Sequence, residues 1–395
     1  MEKTPLAMRK NIAIFGNTNA GKSSLFNALL GQEMSIVSEV SGTTTDPVIK
    51  AMELIPYGPV TLIDTAGLGD ETVLGEKRME KTRDILSRCD LVILVNDIMN
   101  IGRHFDFGKL PVIRVYTKCD IAGFDAVNAV RGKDKDAVFV SEYSESALAP
   151  LKEKMISELQ KQERDDETLL GNILTEGSMV VLVIPIDAAA PKGRIIMPQV
   201  QTIRDCLDHG IKAVCVTPDR LKETLSELKT VDLVVTDSQA FAEVNEIIPP
   251  DARLTSFSML LANQKGRIEQ LIEGTRVIKD LKDGDEILML EACTHSTTHD
   301  DIGKVKIPAM LQKKTGKKLN FTHLSGYDFP KDLSKYSLVI QCGGCMINKK
   351  AILNRLDVFD EQGIPVTNYG VVLAYLSGIL DRASEIFLDN QNGII

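Results

Sequence analysis

The sequence predicts an α/β protein in which a phosphate-binding first unit is followed by two further α/β units with mostly parallel sheets. Three observations support this. Short apolar runs alternate with helically spaced segments along a chain of 395 residues. A glycine-rich loop stands between the first apolar run and the first helical segment, and near the carboxyl end two apolar runs lead directly into cysteines. The predicted units are residues 1–165, 170–262 and 265–395.

The glycine-rich loop, residues 16–23, reads Gly-Asn-Thr-Asn-Ala-Gly-Lys-Ser and matches every fixed position of the P-loop. Residues 11–15 are a buried-strand candidate and residues 23–30 have helical spacing, which is the context that the motif requires. In such a loop backbone N–H groups surround phosphates, Lys22 reaches the terminal phosphates, and the Ser23 hydroxyl ligates magnesium. The nucleotide-binding residues predicted here are Gly16, Asn17, Asn19, Gly21, Lys22, Ser23 and Ser24.

A second motif, Asp-Thr-Ala-Gly at residues 64–67, closes the apolar run 60–63 and resembles the third motif of G domains. It places the Asp64 carboxylate for magnesium and the Gly67 backbone N–H for a γ-phosphate at a strand end. Leu68 stands where Ras-like proteins carry the glutamine that orients the attacking water. Hydrolysis must therefore be arranged in another way.

A third motif, Thr-Lys-Cys-Asp at residues 117–120, follows the strand candidate 112–116. The Asp120 carboxylate can accept two hydrogen bonds from guanine that adenine cannot donate, so GTP and GDP are the predicted nucleotides. Most G domains have Asn where Thr117 stands, so a loop-tying amide is missing and we expect modest affinity. A Ser-Glu pair at 141–142 fits the last base-contacting motif weakly. The predicted base-binding residues are Thr117, Lys118 and Asp120.

The segment Ser-Gly-Thr-Thr-Thr-Asp-Pro at residues 41–47 resembles the switch I loop of the bacterial branch that includes the tRNA-modification and ribosome-assembly GTPases. By that resemblance Thr44 binds magnesium. In potassium-activated members of the branch, an Asn at the position of Asn19 helps to hold K⁺ against the phosphates, in the place of an arginine finger. The resemblance implies slow, potassium-stimulated hydrolysis with Asn19, Lys22, Thr44 and Gly67 in the catalytic set. The alternative is that Asn19 is only a polar loop residue.

Composition points to a soluble, cytoplasmic protein without a nucleic-acid or membrane partner. The net charge is −9, and the basic run 313–318 is interpreted as a solvated face. No apolar stretch is long enough to span a bilayer, and the first ten residues lack a signal-peptide core. Seven cysteines, an odd number, argue against a disulfide framework.

The middle unit follows a charged stretch at residues 161–167 and shows no phosphate loop, paired carboxylates or nucleophile constellation. We expect it to mediate contacts such as self-association. Cys206 and Cys215 are predicted to be buried apolar residues, as are Cys89 and Cys119 of the first unit. The predicted elements are strands 179–186, 212–216 and 233–236, a helix opened by Pro198 and closed near Gly210, and a helix at 221–228.

The third unit contains two cysteine segments, each just past a buried-strand candidate. Residues 286–290 run into Cys-Thr-His at 293–295, and residues 336–340 lead through Gln341 into Cys-Gly-Gly-Cys at 342–345. Ligands of open α/β sheets bind beyond the carboxyl ends of strands, where two such loops can converge. Three thiolates suit an iron–sulfur cluster or zinc, and spacing leaves both open together with a redox dithiol. The candidate ligands are Cys293, Cys342, Cys345 and, as a fourth or supporting group, His295.

With these motifs in order, the whole chain resembles the maturation GTPases of the di-iron (FeFe) hydrogenases. That resemblance implies a potassium-activated G domain, a middle dimerisation domain, and a last domain whose Cys-x-His and distant Cys-x-x-Cys hold a 4Fe–4S cluster. Cys293, Cys342 and Cys345 would be the cluster cysteines. Many members have His immediately before the Cys-x-x-Cys, whereas this chain has Gln341. The remaining candidates for the fourth ligand are His295, a carboxylate, water or a group from elsewhere.

The resemblance also implies a role. The protein would be a homodimeric scaffold or carrier that receives a transient di-iron precursor, made with two radical-SAM maturases, and delivers it to apo FeFe-hydrogenase. Two alternatives stay open. One is a tRNA-modification or ribosome-associated GTPase, against which the acidic balance argues. The other is a GTPase with a structural zinc or redox dithiol domain.

Overall fold

The computed structural model describes most of the chain in segments. Contacts divide the chain into two compact units, residues 1–164 and 165–395. The first unit contains one sheet and the second contains two. The described residues are 9–31, 47–65, 82, 85–101, 105–162, 168–186, 195–291, 302–325, 330, 332–344 and 347–388.

The first unit is a six-stranded sheet in the order β2-β3-β1-β4-β5-β6, parallel except for β2. Its central strands are continuous apolar runs because helices cover both faces of a parallel sheet. The elements are β1 (Lys10–Gly16), α1 (Lys22–Gly31), β2 (Val48–Leu54), β3 (Gly58–Asp64), β4 (Leu91–Asp97), β5 (Val112–Thr117), α2 (Phe124–Lys133), β6 (Val138–Phe139) and α3 (Glu145–Gln160).

The strand order brings the first two motifs to one edge of this sheet. β1 lies between β3 and β4, so the chain order reverses at β1, where ligands of open α/β sheets bind. Ile14 pairs with Asp64 in the parallel register of β1 and β3. The loop after β1 and the end of β3 therefore face the same space.

The second unit contains two four-stranded parallel sheets, in the orders β10-β9-β7-β8 and β12-β11-β13-β14. The first of these carries β7 (Met179–Val183), α4 (Met197–Asp208), β8 (Lys212–Val216), α5 (Leu221–Glu227), β9 (Leu233–Thr236), α6 (Phe241–Ile247), β10 (Leu254–Ser256) and α7 (Phe257–Lys265). The second is associated with α8 (Ile268–Glu273), β11 (Glu286–Glu291), α9 (Ile307–Thr315), β12 (Asn320–Ser325), β13 (Tyr336–Gln341), α10 (Lys349–Glu361), β14 (Val366–Asn368), α11 (Tyr369–Leu376) and α12 (Leu380–Leu388).

The two sheets of the second unit share one hydrophobic core. A single cluster of buried side chains includes Val181 of β7, Phe257 of α7 and Val339 of β13. The last helix returns to the earlier sheet, where the Thr255 hydroxyl donates to the carbonyl of Ala383 at 3.0 Å. The second and third predicted units therefore pack as one compact body, and the boundaries drawn between them stay predictions.

The predicted α/β class is confirmed, and the predicted strands and helices of the three units are present. β7 ends at Val183, three residues before its predicted end. Among the strands outside the predicted set, β10 and β14 have three residues each. β2 is largely exposed and β12 is only partly buried, so neither gives a continuous apolar run. No helix in the described segments is long and apolar enough to cross a membrane.

The cysteines outside the third sheet separate into buried and exposed thiols. Cys89, Cys119 and Cys206 are buried as predicted, and burial raises the pKa of Cys206 to about 12. The prediction that Cys215 is buried was wrong, because its side chain is exposed. Cys215 lies on β8, which is an edge strand paired only with β7, so its apolar composition did not place it in the core.

Candidate nucleotide and cluster sites

The phosphate loop between β1 and α1 is closed around a buried ammonium group. Lys22 is 8% exposed, and its Nζ donates to the carbonyls of Gly16 at 2.9 Å and Asn17 at 2.7 Å. Gly16 has φ +149°, and a Cβ there would lie 2.1 Å from the Val95 carbonyl oxygen, so only glycine fits. Burial lowers the pKa of Lys22, while the charge of Asp64 opposes that shift. The backbone therefore has the conformation of a phosphate-binding loop, and the Lys22 ammonium lies against it.

The two side chains predicted to bind magnesium, Ser23 and Asp64, are in contact. The Ser23 hydroxyl donates to Asp64 Oδ2 at 3.0 Å. Asp64 Oδ1 is buried and has no hydrogen-bond partner among the described residues. Burial raises the pKa of Asp64, and the Ser23 hydrogen bond and the Lys22 charge oppose that shift. An unpaired carboxylate oxygen beside a hydroxyl fits Mg²⁺, which prefers such oxygen ligands. Thr44 and Gly67 lie outside the described residues.

Residues 117–120, which the sequence predicts to bind the base and which we call the base-binding segment, contact the phosphate loop through Thr117. Its hydroxyl oxygen lies 2.8 Å from the Ala20 carbonyl oxygen and 3.2 Å from that of Asn96. The amide found in most G domains is absent, as the sequence indicated, but the threonine hydroxyl supplies a tie to the loop. Lys118 Nζ donates to Asp97 at 2.7 Å, and this hydrogen bond is the main reason why the pKa of Asp97 lies below its usual value. Asp120 is exposed at the end of the same segment.

Tyr143 is a candidate nucleotide neighbour that the motifs did not identify. The Tyr143 hydroxyl forms a hydrogen bond with the Ser24 hydroxyl, and burial, together with the negative charge of Asp120, raises the pKa of Tyr143. A Cβ built on Gly21 would lie 3.2 Å from the Tyr143 hydroxyl oxygen. The Tyr143 hydroxyl therefore lies beside the phosphate loop. The available signal was an aromatic residue immediately after the weak Ser-Glu motif.

Asn19 projects from the same loop. It is exposed and has φ 63°, a left-handed conformation that asparagine tolerates better than most residues. An exposed amide on the phosphate loop suits a ligand of a monovalent cation.

The cysteine loop begins where β13 ends, next to β11. Leu290 pairs with Gln341 in the parallel register, and the Cys342 N–H donates to the Leu290 carbonyl at 2.8 Å. The chain segments that follow β11 and β13 thus leave the sheet at one edge, and Cys342 is half-buried there. Cys293, His295 and Cys345 lie outside the described residues. Within the described residues, no group of three or more His, Cys, Asp or Glu could hold a metal ion.

A second buried lysine contacts this cysteine loop. Lys265, the last residue of α7, is 6% exposed, and its Nζ donates to the carbonyls of Gly344 and Ile347 at 3.2 Å each. Gly344 has φ +64°, and a Cβ there would lie 2.6 Å from Ile352 Cδ1. Sequence reasoning missed Lys265, because 79 residues separate it from Gly344.

A cavity of about 300 Å³ lies within the second unit, between its two sheets. Its apolar wall includes Phe257 and Leu261 of α7, and Gly343 of the cysteine loop also lines it. Ser238 and Ser258 add hydroxyl groups, which lie 2.5 Å apart. The cavity thus adjoins the cysteine loop and is lined by the helix that carries Lys265.

The fold and the first site define a class: a P-loop GTPase domain followed by two further α/β domains. Residues 11–119 match the family described as 50S ribosome-binding GTPase. Residues 169–266 match the hydrogen maturase F dimerization domain, and residues 269–386 match the hydrogen maturase F tetramerization domain. These last two matches together cover more than half of the chain. The chain belongs to the hydrogen maturase F family of hydrogenase-maturation GTPases.

Individual relatives match the GTPase domain. GTPase Der of Wolinella succinogenes is 39% identical over 132 residues, which are 31% of this chain and 27% of that protein. The tRNA modification GTPase MnmE of Methylococcus capsulatus is 36% identical over 123 residues, 29% of this chain and 26% of that protein. The chain thus spans about a quarter of the length of these curated relatives.

Two solved structures overlap this chain in part. The G domain of the T. maritima FeoB iron transporter is 27% identical, with 38% of this chain and 98% of that chain covered and a TM-score of 0.29. Aquifex aeolicus Era bound to GDP·AlF4⁻ is 19% identical, with 56% and 98% covered and a TM-score of 0.32.

Proposed function

We propose that this hydrogenase-maturation GTPase is a scaffold that holds a 4Fe–4S cluster at its cysteine loop and carries a di-iron precursor to apo FeFe-hydrogenase. The observation that carries the proposal is the position of Cys342, at the shared carboxyl edge of β11 and β13 within the tetramerization-domain match. Cys293 follows β11 by two residues in the sequence, so both cysteine segments begin at this edge.

GTP hydrolysis is assigned to the first domain. Lys22 would offset phosphate charge, and Ser23 and Asp64, whose side chains are hydrogen-bonded, would hold Mg²⁺ together with Thr44, which the switch I resemblance assigns. The Gly67 N–H binds the γ-phosphate. Asn19 would help to hold K⁺, which would supply positive charge beside the transferred phosphoryl group. Thr117, Lys118 and Asp120 select guanine.

The cluster would be held by Cys293, Cys342 and Cys345, with His295 or a group from elsewhere as fourth ligand. The described part of the site fits such a group. Gly344 lets the backbone turn in a left-handed conformation, and the Cys342 thiol is half-buried. The Lys265 ammonium contacts the loop at the Gly344 carbonyl. When bound, a 4Fe–4S cluster with one exchangeable iron position supplies a place where a second metal fragment can attach through a bridging ligand.

The cargo would be shielded in the cavity beside the cysteine loop. Apolar walls from α7 would cover the apolar parts of the fragment, while the serine hydroxyls could donate to its polar groups. The family matches describe domains for dimerization and tetramerization, so we propose an oligomer, with the two radical-SAM maturases and apo-hydrogenase as transient partners. GTP would act as a switch, since loops that order around a γ-phosphate relax after hydrolysis.

The cluster is tested by anaerobic reconstitution with ferrous iron and sulfide, followed by iron and acid-labile sulfide analysis and low-temperature EPR of the reduced protein. We expect about four irons and four sulfides per chain. Cys293→Ser and Cys342→Ser should lose the signal, whereas Cys215→Ser, a change at an exposed cysteine of the other sheet, should keep it. A colourless parent with stoichiometric zinc would replace this proposal with the structural zinc alternative.

The role of K⁺ is tested by comparing GTP hydrolysis in potassium chloride and in sodium chloride. We expect at least about tenfold faster turnover with potassium, because the ion replaces an arginine finger. Asn19→Ala should remove the stimulation, and Thr18→Ala, at the exposed neighbouring position, should retain it. Equal rates in both salts would contradict the assignment of Asn19.

A tRNA-modification or ribosome-associated GTPase is a second candidate for the first domain, because its relatives carry such names. Tight, salt-sensitive RNA binding in a gel-shift assay would favour it. The net charge of −9 makes weak binding the expected result.

A further inference from the structure

The cavity between the two sheets of the second unit lies where strands of both sheets end. The residues that immediately follow β7, β9, β10 and β14 line it, namely Ile184, Asp237, Phe257 and Tyr369. Ligands of open α/β sheets bind beyond the carboxyl ends of the strands. The cavity therefore has the position of a small-molecule site.

Gln199, in the first turn of α4, supplies an unused amide donor at this cavity. It lines the cavity and is only 3% exposed. Its Oε1 accepts the Ile196 N–H at 3.0 Å, and this contact fixes the orientation of the amide because a backbone N–H can only donate. Its Nε2 donates no hydrogen bond to any residue in the described part of the chain. A buried donor costs free energy until a ligand or water supplies an acceptor oxygen.

Two helix N-termini meet at the same cavity. Phe257 and Ser258 begin α7, Tyr369 and Gly370 begin α11, and all four residues line the cavity. The two termini are in contact, because a Cβ built on Gly370 would lie 2.3 Å from Ser258 Oγ. One N–H of each helix is taken by its N-cap side chain. The other N–H groups of a first turn carry partial positive charge and have no acceptor within the helix, so the pair of termini favours an anionic group.

Three serine hydroxyls lie beside these termini. Ser238 Oγ is 3.1 Å from Ser256 Oγ and 2.5 Å from Ser258 Oγ, and the last two oxygens are 3.0 Å apart. A hydroxyl can donate to a ligand or accept from a neighbour, so the cluster can adjust to an added oxygen. Much of the remaining wall is aliphatic and includes Ile195 and Leu261. The cavity thus combines a polar region with an aliphatic one.

The charged side chains near the cavity oppose one another. Asp237 lines the cavity, and its carboxylate accepts the Gln239 N–H at 3.3 Å as the cap of a 3₁₀ turn. Lys306 Nζ donates to the side chain of Gln239, which also lines the cavity, at 2.7 Å. A carboxylate and an ammonium thus lie on either side of Gln239. The helix termini and the Gln199 amide therefore decide the balance in favour of an anion.

We propose that this cavity binds a short aliphatic monocarboxylate. Its carboxylate accepts from the Gln199 amide and from donors at the two helix termini, while its chain lies against the aliphatic wall. The inference goes beyond the proposed function and does not depend on a cluster. A bound carboxylate occupies the space assigned to the cargo, so the two exclude each other.

The test uses the full iron-free chain and isothermal titration calorimetry, with sodium hexanoate as the probe. Hexanol keeps the chain and lacks the charge, and sodium acetate keeps the charge and lacks the chain. We expect hexanoate to bind at least about tenfold more tightly than either compound, because only hexanoate contacts both regions of the cavity.

Gln199→Glu is the most selective variant. It keeps an oxygen for the Ile196 N–H and replaces the amide donor with a carboxylate oxygen, so hexanoate should bind at least about tenfold more weakly and hexanol should bind as to the parent. Ser258→Ala should weaken hexanoate binding about threefold. Gln160→Glu, the same change at an exposed position of α3, should match the parent. Thermal unfolding without ligand reports whether each variant is folded, and Ser258→Ala decides the location if Gln199→Glu does not fold.

Three results would overturn the inference. Absence of hexanoate binding to the folded parent would exclude the site, and equal affinity for hexanoate and hexanol would mean that the cavity does not recognise a carboxylate. Unchanged hexanoate affinity in the folded cavity variants would place the binding elsewhere. Since every measurement uses iron-free protein, failure to reconstitute a cluster would contradict the proposed function and leave this inference standing.

Discussion

The phosphate loop and the cysteine loop have similar local structures, but the lysines that contact them lie at very different distances along the sequence. Each follows a parallel strand beside the point where the strand order of its sheet reverses, and each contains a glycine with positive φ. In each, a lysine less than a tenth exposed donates to two backbone carbonyls. Lys22 is five and six residues from its acceptors, whereas Lys265 is 79 and 82 residues from its own.

The difference determines what a motif can reveal. The phosphate loop carries its cation within itself, so a pattern of eight residues contains most of the site. The cysteine loop takes its cation from a helix that belongs to the preceding sheet, so its pattern contains only the thiols. The contrast is not complete, because the phosphate loop is also tied by Thr117, which is 97 residues from Ala20.

The largest expected effect tests whether each lysine serves only its own loop. Lys22→Ala should weaken GTP binding roughly 100-fold, since a buried charge opposite phosphate is removed. It should leave the iron content of the reconstituted protein unchanged. Binding is measured by titration with a fluorescent GTP analogue, with Lys229→Ala at an exposed position as the control. Loss of iron in Lys22→Ala would mean that the two sites depend on each other.

The next effect concerns access to the cysteine loop. Cluster reconstitution should slow alkylation of Cys342 by iodoacetamide about tenfold or more, because a metal-bound thiolate is not free to react. GTP alone should not change that rate. Mass spectrometry of the labelled protein provides internal controls. Cys215 is exposed and should be labelled with or without the cluster, while burial raises the pKa of Cys89 and Cys206 and should keep both unlabelled.

A smaller effect concerns the hydrogen bond between Thr117 and the phosphate loop. Thr117→Ala removes a buried hydroxyl that contacts the Ala20 carbonyl. We expect the free energy of GDP binding to become less favourable by about 1 kcal/mol, which is a roughly fivefold weaker affinity. Thr117→Asn should restore the tie, because its amide is the group that most G domains use. Thr230→Ala, at an exposed position, is the matched control for equilibrium binding. Unchanged affinity in Thr117→Ala would show that the loop is held by its own contacts.

The smallest effect is a pH dependence at the base-binding segment. The pKa of Asp97 lies below 3.8, chiefly because of its hydrogen bond from Lys118. Because the folded-state pKa is depressed, the stabilisation is present above pH 3.8 and is lost as the pH falls through the folded-state value. The ion pair between Asp97 and Lys118 is partly exposed, so we expect it to contribute less than about 1 kcal/mol to the free energy of unfolding.

Urea unfolding of the parent and of Asp97→Asn tests this pH dependence. The two unfolding free energies should differ at neutral pH and converge in acid. A difference that persists in acid would assign the effect to packing and not to charge.

The sequence by itself determined the α/β class, the phosphate loop and the candidate thiols. Gly16, Lys22 and Ser23 belong to one short segment, and Asp64 follows a buried strand, so local pattern and strand polarity suffice to place them. The apolar runs of β1, β7, β11 and β13 are long enough to be recognised because parallel strands are covered on both faces.

Only the tertiary structure decided which distant groups complete each site. The contact of Lys265 with Gly344, the position of Tyr143 beside Ser24, and the exposure of Cys215 on an edge strand all depend on how remote segments pack. The common core of the second and third predicted units has the same origin. Periodicity reports which face of an element is apolar, but it does not identify the partner of that face. A buried lysine and a solvated one are therefore identical in sequence, and packing alone distinguishes them.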